Sequence, residues 1–152
     1  VTMKWRDTLW LNEGFASYVE YIGASVVLPA YPRLFIPYDL EYGLEGDSLA
    51  ATHPITTPAS ELESEDTINE IFDSITYSKG ACILRMIHSY LDHDDDGLGL
   101  GQGSFFDGIR SYLAAHTYGN TQAEDLLQAW SGAANEDISS NVQPWLDQPG
   151  FP

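Results

Sequence analysis

The sequence predicts a mainly α-helical chain. Three observations carry that expectation: apolar residues recur at three- and four-residue steps in successive windows, clusters of turn-forming residues separate those windows, and no useful length of strand alternation occurs. The 152 residues, 43% of them hydrophobic and including four Trp, nine Tyr and six Phe, are enough to build one core.

From Thr8 to Val27 the apolar positions Leu9, Leu11, Phe15, Tyr18, Val19 and Ile22 form a helical stripe that ends before Pro29. A second, less regular helix is expected within Tyr31 to Leu49. Pro54, Pro58, Thr56, Thr57 and Ser60 then break any period between Ala50 and Asp66, which reads as an extended surface loop leading to a short helix near Ile68 to Phe72. Tyr77 to Leu91 is the clearest helix after the first, with Ile83, Leu84, Ile87, Tyr90 and Leu91 on one stripe. Phe105 to His116, Thr121 to Ala134 and Ile138 to Leu146 repeat the pattern, punctuated by Gly119-Asn120 and Asn135-Glu136-Asp137.

Asp92 to Gly103 is an acidic, glycine-rich insertion. Asp92, Asp94, Asp96 and Gly97 fall where a calcium loop places its first ligands and its glycine, but Gly103 stands where the closing bidentate Glu belongs. A solvated loop is the expectation there. Its alternating glycines do not give a dinucleotide fingerprint, and no strand precedes them.

Six Lys and Arg against 23 Asp and Glu leave a net charge of −17, a field that repels phosphate backbones and anionic headgroups. Nucleic acid is therefore not an expected partner. Cys82, the one cysteine, sits in an apolar run and reads as a small hydrophobe. No apolar stretch approaches the roughly 18 residues that span a bilayer, so no transmembrane segment is expected in this chain. The compartment stays open.

The sequence holds no G-x-S-x-G, no phosphate-binding G-x-x-x-x-G-K-[ST], no paired C-x-x-C and no H-E-x-x-H. His88 and Asp92, four apart, share a helix face and are a candidate metal pair, set against a histidine that simply meets the helix dipole near its C-terminus. Asn12 and Asp73 each precede a helical run and read as caps. Within Trp10 to Glu20, Glu13 and Glu20 stand seven apart and project from one side of the first helix, either as a functional pair or as two exposed carboxylates.

W-L-N-E-G-F-A-S-Y-V-E-Y, Trp10 to Tyr21, resembles the third-ligand helix of the aminopeptidase N family of zinc metallopeptidases. Further blocks agree in order. S-L-A-A-T-H-P-I (48–55) and T-P-A-S-E (57–61) resemble its central loop, I-F-D-S-I-T-Y-S-K-G-A (71–81) its tyrosine motif, and Trp145 through Q-P-G-F-P (148–152) the close of its catalytic domain. Arg6 in place of a second Trp, Thr8 in place of Asp and the long 92–103 loop are the departures.

The resemblance implies residues 1–152 as one piece: the C-terminal helical part, or helical subdomain, of a thermolysin-like peptidase catalytic domain. It implies Zn2+ as cofactor, with Glu13 as third metal ligand, Tyr77 as the transition-state tyrosine, and Glu20 as a candidate partner orienting the metal site. The family's H-E-x-x-H helix and G-x-M-E-N strand are expected before Val1, since only twelve residues precede Glu13. The implied substrates are peptides with a free amino terminus. A carboxylate completing a two-histidine set leaves one zinc position open for water, and a phenol can stabilise charge developing on the carbonyl oxygen. The alternative is a non-catalytic helical interaction module or degenerate relative. The isolated chain is expected to be inactive and to self-associate through an apolar patch left exposed where the family's ligand helix would pack.

Overall fold

A computed structural model describes residues 1–93 and 101–151. Helices dominate the described residues: α1 (Trp10–Ser25), α2 (Glu41–Asp47), α3 (Glu65–Glu70), α4 (Gly80–Asp92), α5 (Gly103–Ala115), α6 (Ala123–Ala134) and α7 (Ile138–Asp147). The mainly α expectation holds. Two strands, β1 (Thr2–Met3) and β2 (Asn120–Thr121), pair in parallel with Thr2 opposite Asn120 and Met3 opposite Thr121. At two residues each they are too short to leave an alternation in the sequence.

The core forms where α1 crosses α4 and where α5 packs on both α4 and α6. Its centre is aromatic. Phe105 stacks between the His88 ring, 4.3 Å away, and Trp130, 5.1 Å away, and the Trp130 indole donates to the Phe105 carbonyl at 2.9 Å. These rings are fully buried, so their polar edges need internal partners. The Tyr18 hydroxyl meets His88 Nδ1 at 2.6 Å, joining α1 to α4.

Two local expectations are corrected. Asn12 is not a cap: a 3₁₀ turn at Arg6–Thr8 runs directly into α1 through helical Leu9, so the chain is already coiled when it reaches Asn12. The short helix expected near Ile68 begins earlier, at Glu65, because Ser64 caps it. The Ser64 hydroxyl accepts the Thr67 amide and the Thr67 hydroxyl accepts the Ser64 amide, a capping box that uses Thr in place of Glu. The irregular helix within 31–49 resolves into a 3₁₀ turn, a π-helical turn and α2.

Along 26–49 a row of large apolar side chains stays exposed, including Val26, Val27, Leu28, Tyr38, Tyr42 and Leu49. No helix among the described residues is long and apolar enough to cross a membrane.

Candidate active site

Glu13 lies in the first turn of α1, where a carboxylate gains from the helix dipole. Tyr77 lies in a π-helical turn, Ile75–Lys79, that leads straight into α4. Such turns tilt side chains out of the regular helical register. Although 64 residues separate the two in sequence, they face one another: burial first, then a hydrogen bond to the Glu13 carboxylate and its negative charge, hold the Tyr77 phenol above its ordinary pKa. The phenol is thereby kept protonated and able to donate. Both side chains are half-buried, and among the described residues no ion pair reaches Glu13.

Glycines set this meeting. A Cβ on Gly14 would come within 2.9 Å of the Gly80 Cα, and one on Gly80 within 3.3 Å of the Gly14 Cα. Only two residues without side chains let the backbones of α1 and α4 approach so closely. Gly14 adjoins Glu13 and Gly80 follows Tyr77 by three, so the crossing point fixes the spacing of the acid and the phenol. Sequence reasoning missed both; the available signal was a glycine inside each of two strongly periodic helices.

Asp73 builds the turn that carries Tyr77. Its Oδ1 accepts the Ile75 amide at 2.9 Å and the Thr76 amide at 3.3 Å, and its carbonyl accepts the Tyr77 amide at 3.1 Å. The capping role expected of Asp73 is what the structure shows. Two residues beyond Tyr77, the Lys79 Nζ pairs with Asp47 Oδ2 at 2.8 Å, both side chains almost wholly buried. Asp47 Oδ1 also accepts the Gly150 amide at 2.9 Å and the Thr52 hydroxyl at 2.8 Å, while Lys79 donates to the Gly150 carbonyl at 3.0 Å. This hub, also missed from sequence, pins the Q-P-G-F segment against α2 and the tyrosine turn.

Glu20 stands apart from the corner that joins Glu13 and Tyr77. It is exposed and accepts the Tyr31 hydroxyl at 3.0 Å. His88 and Asp92 do share a face, at 3.5 Å, with His88 buried against Tyr18 and Phe105. Among the described residues no three His, Cys, Asp or Glu side chains gather to hold a metal. The candidate calcium positions Asp94, Asp96 and Gly97 lie outside the described residues. Cys82 packs as the small hydrophobe expected, its thiol pushed up to about 12 chiefly by burial.

Among the described residues Glu13 is thus an oxygen donor with a phenol near it and no ion-pair partner. The peptidase family M1 domain matches residues 1–145. Aminopeptidase N of Mus musculus is 41% identical over 164 residues, covering 100% of this chain and 16% of the mouse protein. Aminopeptidase 2, mitochondrial, of Saccharomyces cerevisiae is 38% identical over 154 residues, covering 100% of the chain and 15% of the yeast protein. Aminopeptidase N of Homo sapiens is 39% identical, again with 100% and 16% covered. The chain spans about one-sixth of the length of these curated relatives.

Proposed function

The chain belongs to peptidase family M1, and from that premise we propose that it is the C-terminal helical part of the catalytic domain of a zinc aminopeptidase. Glu13 is the third metal ligand and Tyr77 the donor to the reacting carbonyl. The observation that carries the reading is the pairing of Glu13 with Tyr77 across the Gly14–Gly80 crossing. Glu13, together with ligands outside these residues, would hold a zinc ion, which would supply Lewis acidity and lower the pKa of a bound water.

The chain's own residues do the rest. The Tyr77 phenol lies near enough to the Glu13 carboxylate for that carboxylate to raise its pKa, and a carboxylate engaged with a metal would be a poorer acceptor, leaving the phenol proton for a carbonyl oxygen nearby. Negative charge grows on that oxygen in the transition state, so the donation strengthens as the barrier is climbed. Asp73 and the Asp47–Lys79 hub hold the phenol's backbone on both sides, so little reorganisation is needed at that moment. The substrates are peptides with a free amino terminus. The strongly acidic surface favours such cationic ends. Glu20 is a partner that orients the metal site only if residues outside this chain bring the two together.

The test uses the full-length protein carrying this chain, a peptide with a free amino terminus and its N-acetylated twin. Only the free peptide should be cleaved, and the preparation should contain zinc. Tyr77→Phe should lower kcat by about 10²- to 10³-fold with zinc content unchanged. Glu13→Gln should lose zinc on dialysis. A zinc-free protein that leaves both peptides intact would instead make the chain a non-catalytic helical module. The isolated 152-residue chain should bind no tight zinc, cleave nothing, and associate through its exposed 26–49 face, as read by light scattering.

A further inference from the structure

The loop between α2 and α3 is stitched to three parts of the fold. The Thr57 amide donates to the Asp7 carbonyl at 3.3 Å, just ahead of α1; the Thr56 amide donates to the Leu146 carbonyl at 3.0 Å in α7; and His53 meets the tyrosine turn. Pro54 and Pro58 stiffen the loop between these anchors. His53 Nε2 lies 3.0 Å from Asp73 Oδ2, and His53 Nδ1 lies 2.7 Å from the Pro54 carbonyl oxygen. Both ring nitrogens therefore face acceptors. A neutral imidazole carries one N–H and satisfies only one of them, leaving a lone pair aimed at an oxygen; the imidazolium satisfies both. The other Asp73 oxygen is the one that caps the Ile75 and Thr76 amides.

We propose that His53 is a positioning residue for Tyr77: as an imidazolium it grips the Asp73 carboxylate, locks the turn that presents the phenol, and ties that turn to the loop anchored beside α1. The inference deepens the aminopeptidase reading and rests on it for its catalytic consequence, while the positioning itself concerns only residues of this chain.

The electrostatics agree in direction. The hydrogen bond to Asp73 is the largest influence on His53 and raises its pKa, outweighing burial and the positive charge of Lys79. For Asp73, burial is the largest single influence and pushes upward, but His53 and the Thr76 and Ile75 amides together hold the carboxyl below its ordinary value. His53 thus contributes as long as it is protonated, and its contribution is lost as pH rises through its folded pKa. Asp73 contributes as long as it is ionised, and its contribution is lost as pH falls through its own lowered value. The clamp is closed between those two limits.

The experiment compares wild type, His53→Ala and His53→Gln in the full-length protein. One readout is independent of activity: the ring resonances of Tyr77, labelled with 13C and followed by NMR as pH rises. In wild type they shift with the midpoint at which the His53 resonance itself titrates. In His53→Gln, whose amide donates at every pH, that transition is absent. The second readout is the split between kcat and KM: His53→Ala should lower kcat by roughly 10-fold or more with KM little changed, and His53→Gln should restore part of kcat without the pH dependence. Tyr77 resonances that ignore the His53 titration overturn the proposal, as does a loss in His53→Ala that falls on KM alone or that His53→Gln leaves unrelieved. If wild type cleaves no peptide, the aminopeptidase reading fails, and the Tyr77 resonances alone decide the positioning.

Discussion

Tyr77 and Lys79 stand two residues apart on one turn, yet they belong to opposite kinds of polar environment. Lys79 is 6% exposed and Asp47 3%, and each charge is answered by the other and by the Q-P-G-F segment. Among the described residues Glu13 has no ion-pair partner and lies near the neutral Tyr77 phenol, and both remain partly open to solvent. Burying a charge without a partner is costly, so a compensated pair is what a fold keeps for itself. A carboxylate without an ion-pair partner, beside a phenol kept protonated, is what the proposed metal-ligand role requires.

The largest effect should come from breaking the closed corner. Lys79→Met leaves the Asp47 carboxylate buried and unpaired, which should cost about 3–5 kcal/mol, read as a lowered thermal midpoint by calorimetry. Adding Asp47→Asn should recover much of that loss; a double variant as unstable as the single one would mean that the pair's charges are not what matters there. The open corner should respond in the opposite sense. Tyr77→Phe removes one hydroxyl from a half-buried site and should change stability by no more than about 1 kcal/mol while activity falls as described. A comparable loss of stability in Tyr77→Phe would erase the distinction between the two corners.

Gly14→Ala tests whether the crossing sets the open corner. The new methyl meets Gly80 backbone that cannot move aside cheaply, so a cost of about 1–3 kcal/mol is expected, with activity reduced beyond what the stability change explains. The same substitution at Gly23, where nothing lies within 4 Å, is the control and should be neutral or slightly stabilising. The smallest effect concerns Cys82, whose thiol is held at about 12 beside the closed corner's apolar surroundings. It should resist alkylation at pH 8 and react only when denaturant opens the core, as followed by mass spectrometry.

The helices were legible because each carries its own stripe. Ile83, Leu84 and Ile87 announce α4, and Leu126, Leu127 and Trp130 announce α6, from spacing alone. Glu13 and Tyr77 were legible only through the resemblance of their motifs. Spacing along the chain left Glu13 paired with Glu20, which lies on the same helix, and could not bring forward a tyrosine 64 residues away. The His53–Asp73 contact and the Asp47–Lys79 hub were hidden for the same reason: each joins groups 20 or more residues apart, with no periodicity to link them.

What the sequence by itself determined is the helical content and the order of the helices, because these follow from local spacing; the motifs that carry Glu13 and Tyr77 were read through their resemblance alone. Only the tertiary structure decided that the acid and the phenol meet. That meeting depends on two backbones touching at Gly14 and Gly80, and a glycine's lack of a side chain says nothing in sequence about which other backbone will occupy the space.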